Sequence, residues 1–172
     1  YEIDGLVADR CLYPDGTGTR PTYLQRGDGS GYASYRRQCM SAALSRVFAA
    51  AKQVRPNLTT GAVLDAVYDW EDLSPDDAAA GQEGSYAAGA DTLSWVQEGA
   101  ADFFVLRADT ASENPASSFE KVVDWWIGQA ACRETTLYLC HSADRLDEGQ
   151  AQKILAHMQQ QTSRAVQGSV LS

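Results

Sequence analysis

Short apolar runs at residues 1–9, 58–64, 102–106, 136–140 and 166–170 are separated by stretches whose apolar residues recur at helical spacing. Strands alternating with helical patterns of about ten or more residues indicate βαβ units, because a parallel return needs a crossover long enough to traverse the sheet. The helical stretches fall at 32–54, where Met40, Leu44, Val47 and Phe48 share a face, and at 89–98, 119–130 and 148–161. Residues 14–31, rich in Gly, Pro and Asp, read as a long loop, and residues 68–85, acidic and holding Pro and Gly, as another.

Two α/β architectures satisfy this order. A doubly wound nucleotide-binding sheet carries a glycine-rich fingerprint at its first strand-to-helix turn, and Ala8-Asp9-Arg10-Cys11-Leu12-Tyr13-Pro14 has none. A (β/α)8 barrel carries its chemistry on the loops after the strands, and those loops are the long ones here. The expected fold class is therefore α/β, a partial (β/α)8 barrel of TIM type. A whole barrel takes about 250 residues. The 172 residues here are expected to form a single domain, 1–172, holding five of the eight strands. The chain opens directly on a core strand, so a piece of a longer protein is expected. A strand order out of sequence would support the open sheet instead.

Composition narrows the partners. A formal net charge of −9 leaves no general attraction to phosphate backbones, so nucleic acid is not an expected partner. No apolar run approaches the roughly 18 residues that span a bilayer, so no membrane insertion is expected in this segment. Cys11, Cys39, Cys132 and Cys140 lack close spacing and read as small core residues. Neither His141 nor His157 has a second His at ligand spacing, so no metal and no cofactor is expected.

Four successive strands end in an Asp or run just past their end into one: Asp9, Asp65, Asp109 and Asp144. Parallel strands bring all four to the same C-terminal rim. Glycoside hydrolysis needs two carboxyl groups across the scissile bond, about 5 Å apart for retention and about 6.5–9.5 Å for inversion, and such a rim supplies them. Asp is also a common turn former and helix cap, which accounts for any one of the four without chemistry. Arg10 beside Asp9 favours the charged carboxylate, and Tyr13 can hydrogen-bond it or stack on a sugar. Trp70 and Tyr86 lie in and just beyond the long loop after the second strand, where flat rings suit the C–H faces of pyranoses, as Tyr68 also does. Trp95, Trp125 and Trp126 sit at helical positions and read as core.

Several of these segments carry a family likeness. The run Tyr1-Glu2-Ile3-Asp4-Gly5-Leu6, with Asp9-Arg10 and Tyr13-Pro14, resembles the fourth-strand signature of the bacterial glycosyl-hydrolase-like family ten. Ser85-Tyr86, with Asp91, Trp95-Val96, Glu98-Gly99 and Asp102-Phe103, is similar to that family's approach to its sixth strand. Trp125-Trp126, Leu137-Tyr138-Leu139-Cys140-His141-Ser142-Ala143 and Val166-Gln167-Gly168-Ser169 resemble its paired Trp, seventh strand and eighth strand. The resemblance is collinear over essentially the whole chain. It implies strands four to eight of a barrel acting on bacterial cell-wall glycans, including denuded peptidoglycan, in an exported or envelope protein.

The likeness departs from the family at the rim. The His-Phe before the family's Asp is Val7-Ala8 here, Ser-Pro-Phe-Gly after its fifth strand is Val63-Leu64-Asp65-Ala66, and Pro-Gln-Ile-Tyr-Trp after its sixth is Leu106-Arg107-Ala108-Asp109-Thr110. Only Asp9, Arg10, Tyr13 and His141 carry over from the family pattern. The candidate catalytic residues are Asp9, Asp65 and Asp109, and the candidate substrate contacts are Arg10, Tyr13, Trp70, Tyr86, Arg107, His141 and Asp144. Two functions are expected to compete: a two-carboxylate glycoside hydrolase on cell-wall or related polysaccharide, and a degenerate barrel that binds glycan without cleaving it. Exposed sheet edges lead to the further expectation of a second copy or of pairing with the missing strands.

Overall fold

The computed structural model describes residues 2–13, 18–68, 84–107, 119–131, 135–141, 148–160 and 166–171. Five strands, β1 (Gly5–Ala8), β2 (Thr59–Asp65), β3 (Phe103–Arg107), β4 (Thr136–His141) and β5 (Val166–Leu171), form one sheet in the order β1-β2-β3-β4-β5. Every neighbouring pair is parallel. The described helices are α1 (Thr19–Arg26), α2 (Tyr32–Val54), α3 (Thr92–Glu98), α4 (Phe119–Ala130) and α5 (Glu148–Gln160). The chain is thus α/β, and its sequential strand order is not the reversing order of a doubly wound nucleotide-binding sheet.

One part of the reading of residues 14–31 is corrected: Thr19–Arg26 is helical. Its sequence TRPTYLQR has no apolar stripe and the helix buries no residue, so hydrophobic periodicity had nothing to register. The third helix starts at Thr92 and not at Gly89, because Asp91 caps it by accepting the Ser94 N–H at 3.3 Å.

The sheet's two faces differ. Side chains alternate along a strand, and Ala62 and Leu64, Phe104 and Leu106, Leu137 and Leu139 fall on one face, all with 0 % exposure. They pack against Leu44 and Phe48 of α2, Trp95 and Val96 of α3, and Val122, Val123 and Trp126 of α4. Strands that advance one place at a time with right-handed crossovers put their helices on one side, which is why a single layer covers this face. Each fully buried Leu or Phe there contributes about 1.5–3 kcal/mol.

The opposite face carries Val7, Val63, Val105, Phe103, Tyr138, Asp65 and Arg107 by the same alternation. Phe103 meets Tyr138 edge to face at 5.5 Å, and a Cβ placed on Gly61 would lie 2.3 Å from the Phe103 ring. Gly61 is therefore the seat of that ring. Val7 is 48 % exposed, so β1 leaves this face open at its edge.

Candidate functional site

Parallel pairing brings the ends of β1, β2 and β3 to one rim, and the register sets Asp65 directly beside Arg107. Arg107 reaches both neighbouring strands. Its Nη2 donates to Asp9 Oδ1 at 2.9 Å and its Nη1 to Asp65 Oδ1 at 3.3 Å. Burial opposes the Arg107 charge, but the hydrogen bonds and charges of Asp9 and Asp65 outweigh it and raise its pKa. The group is half-open to solvent, with side-chain exposures of 32 % for Arg107, 49 % for Asp9 and 45 % for Asp65.

Asp9 is held at one oxygen. Oδ1 also accepts the Arg10 N–H at 2.6 Å, so among the described residues both of these hydrogen bonds to Asp9 fall on Oδ1. The backbone then turns sharply: Arg10 has φ 52, a left-handed conformation that costs a non-glycine residue about 1 kcal/mol or more. Leu12 N–H closes the turn onto Arg10 O at 2.7 Å. A shallow pocket beside this turn is lined in part by Arg10, Cys11, Asp65, Ser85, Thr92 and Arg107.

The loop after β2 is tied down from beneath. Trp126 Nε1 donates to Ala66 O at 2.6 Å, and Ala66 N–H donates to Arg107 O at 3.4 Å. Ser85 N–H donates to Val67 O, and Ser85 Oγ lies 2.9 Å from Thr92 Oγ1 in a buried pair. Sequence reasoning assigned Trp126 to the core and did not anticipate its carbonyl contact next to Asp65.

The other sequence candidates are distributed around this centre. Tyr13 meets Tyr35 edge to face at 6.4 Å, and its carbonyl accepts from Arg36. Tyr86 carries the Arg37 guanidinium 3.8 Å from its ring centre and Tyr68 at 5.2 Å, so part of its ring surface is already covered. Tyr68 in turn stacks on Trp125 at 6.0 Å and donates its hydroxyl to Asp91, and burial with the Asp91 charge pushes its phenol up. His141 carries the strand parity of Leu137 and Leu139, is 4 % exposed, and lies with the helix layer, not with Asp9 and Arg107. Trp70, Asp109 and Asp144 lie outside the described residues, as does Cys132. Arg36, absent from the candidates, is buried and bonds both Tyr13 O and Ala88 O, a link no local pattern announces.

Among the described residues no cluster of three or more His, Cys, Asp or Glu is arranged to hold a metal ion, and no helix is long and apolar enough to cross a membrane.

The chain is an α/β protein with a five-strand parallel sheet, and comparison with known proteins gives a distant glycosyl-hydrolase-like relationship. No family model matches the chain. It is 24 % identical over 147 residues to the glycosyl hydrolase DigH of Escherichia coli strain K12, and equally to the proteins of that name in Escherichia coli O157:H7 and Shigella flexneri. The match takes in 81 % of this chain, which spans 33 % of each relative's length.

Proposed function

We propose that the chain is the C-terminal five-strand part of a (β/α)8 barrel in a bacterial glycoside hydrolase, acting on cell-wall or related polysaccharide outside the cytoplasm, with Asp9 as one of two essential carboxylates. The observation that carries this reading is the fixing of Asp9 through Oδ1 alone, by Arg107 and the Arg10 N–H, with Oδ2 left open on the rim. The relationship to a glycosyl hydrolase and the sequential parallel sheet support it. The missing strands pair with the edges and cover the open sheet face.

In the reaction, Asp9 Oδ2 attacks the anomeric carbon, or takes a proton from a water that attacks it, while a second carboxyl group gives a proton to the departing glycosidic oxygen. Where Asp9 forms the covalent bond, water then cleaves the glycosyl ester and returns the proton. Asp65 shares the Arg107 cation with Asp9 and so is suited to hold substrate hydroxyls or balance charge. A proton donor outside that ion pair is required. Asp109, two residues past Arg107 in sequence, or a residue of the missing strands supplies it.

One observation favours a second reading, a glycan-binding barrel without hydrolysis. Arg107 stands between the carboxylates of Asp9 and Asp65, where a scissile bond between a catalytic pair would have to pass. The two separate in one assay: reducing ends released from denuded peptidoglycan strands and chitin oligomers by the protein and by its Asp9→Asn variant. Turnover abolished by that change is the expected result. Saturable binding without turnover in either form would replace hydrolysis by binding, and no binding at all would remove both readings.

A further inference from the structure

Tyr13, Tyr23, Tyr32 and Tyr35 meet in a cluster that is separate from the hydrophobic core. Tyr23 lies 5.5 Å from Tyr32 and 5.4 Å from Tyr35, and Tyr35 lies 6.4 Å from Tyr13. All four are partly exposed. Helix α1 contributes Tyr23, and its Leu24 is 81 % exposed, so the helix adds flat aromatic surface without adding a buried aliphatic contact. Guanidinium groups lie over one of the rings: Arg20 stands 5.3 Å and Arg36 5.8 Å from the centre of Tyr32, so its surface is partly covered and the open faces are those of Tyr13, Tyr23 and Tyr35.

The cluster stands on the same rim as Asp9. Tyr13 is four residues from Asp9, at most about 14 Å of extended chain. Arg36 ties the Tyr13 carbonyl at 2.9 Å and the Ala88 carbonyl at 3.0 Å, joining the loop after β1 to the loop after β2. Partly exposed rings beside the exposed Arg20 guanidinium suit a ligand with apolar C–H faces and hydroxyls, which is a pyranose. Single-stranded nucleic acid also uses stacked rings and arginines, but a net charge of −9 opposes it.

We propose that the Tyr13–Tyr23–Tyr32–Tyr35 cluster is a saccharide subsite that binds sugar units of an oligosaccharide beyond those held at Asp9. The proposal rests on the glycan reading above and extends it to a longer ligand. Occupancy of such a subsite makes affinity depend on chain length.

The test is calorimetric titration of the protein with chitobiose and chitohexaose, repeated for Tyr23→Leu/Tyr32→Leu and for Tyr23→Phe/Tyr32→Phe. Leu keeps apolar volume between α1 and α2 while removing the flat faces, and Phe keeps the faces. The expected result is a loss of about tenfold in chitohexaose affinity for the Leu variant, with chitobiose and the Phe variant within about twofold of the parent. Equal affinity of the parent and the Leu variant for chitohexaose, with α1 still helical by circular dichroism, overturns the subsite and leaves the reading of Asp9 standing. A tyrosine-dependent affinity in a protein that shows no turnover even with Asp9 intact supports the subsite and removes the hydrolase instead.

Discussion

The guanidinium of Arg107 lies 2.9 Å from Asp9 Oδ1 although 98 residues of chain separate them. A second nitrogen of the same group holds Asp65, so one cation organises the ends of three adjacent strands. Both pairs are partly exposed, and exposed ion pairs contribute about 1 kcal/mol or less. Arg107→Leu is therefore expected to move the urea midpoint little while reducing saccharide turnover or affinity at least about tenfold. Unchanged saccharide behaviour in a folded Arg107→Leu protein would assign the triad to the surface and not to a site.

The indole of Trp126 joins the core to that rim through its 2.6 Å bond to Ala66 O. Both groups are out of water, so Trp126→Phe leaves a buried carbonyl without its donor at a cost of about 1–3 kcal/mol. Trp125→Phe, whose side chain is only partly buried, is expected to cost less. Urea unfolding of the two variants checks the order, and an equal loss in both would mean that ring volume and not the hydrogen bond sets the effect.

Much of the scaffold is written in short apolar runs. Residues 61–64, 103–106 and 137–140 are apolar almost throughout, which marks strands of a buried parallel sheet but not which face meets the helices. Asp9 and Asp65 are legible as rim residues because strand ends are. Their union through Arg107 is not, since it depends on the register that sets Asp65 opposite Arg107, a relation between segments 42 residues apart. Helix α1 escapes because its place is set by rings on α2 and not by an apolar face of its own. His141 falls in step with Leu137 and Leu139, on the helix side, a placement that an apolar run buried on both faces does not announce.

At the other end of the strands, Asp102 accepts from Thr60 N–H at 2.7 Å, Thr60 Oγ1 at 2.8 Å and Lys52 Nζ at 2.8 Å. Burial works to raise its pKa, but the Lys52 and Thr60 hydrogen bonds outweigh burial and hold it below the ordinary carboxylate range. A folded-state pKa below the unfolded value stabilises at pH above the unfolded pKa, and that stability is lost as pH falls through the folded one. Asp102→Asn is expected to lower the Tm at pH 7 and to converge with the parent as pH falls below about 4. The effect is about 1 kcal/mol or less, because Asp102 is 42 % exposed. A gap that stays constant from pH 7 to the acid limb would show that its charge is not what matters.

Cys11 reports on Asp9 without any assumption about substrate. Its thiol is buried, and burial first and the Asp9 charge second push its pKa up from 9.0. The thiolate is the reacting species, so a raised pKa slows alkylation near neutral pH. Cys11 is expected to react with iodoacetamide more slowly than the partly exposed Cys39, with the sites resolved by peptide mass spectrometry. Removing the neighbouring charge in Asp9→Asn should accelerate Cys11, though burial still slows it, and leave Cys39 unaffected. Parallel acceleration of both thiols would indicate loosening of the fold, and no acceleration of either would mean that the Asp9 carboxylate is not close enough to Cys11 to repel its thiolate.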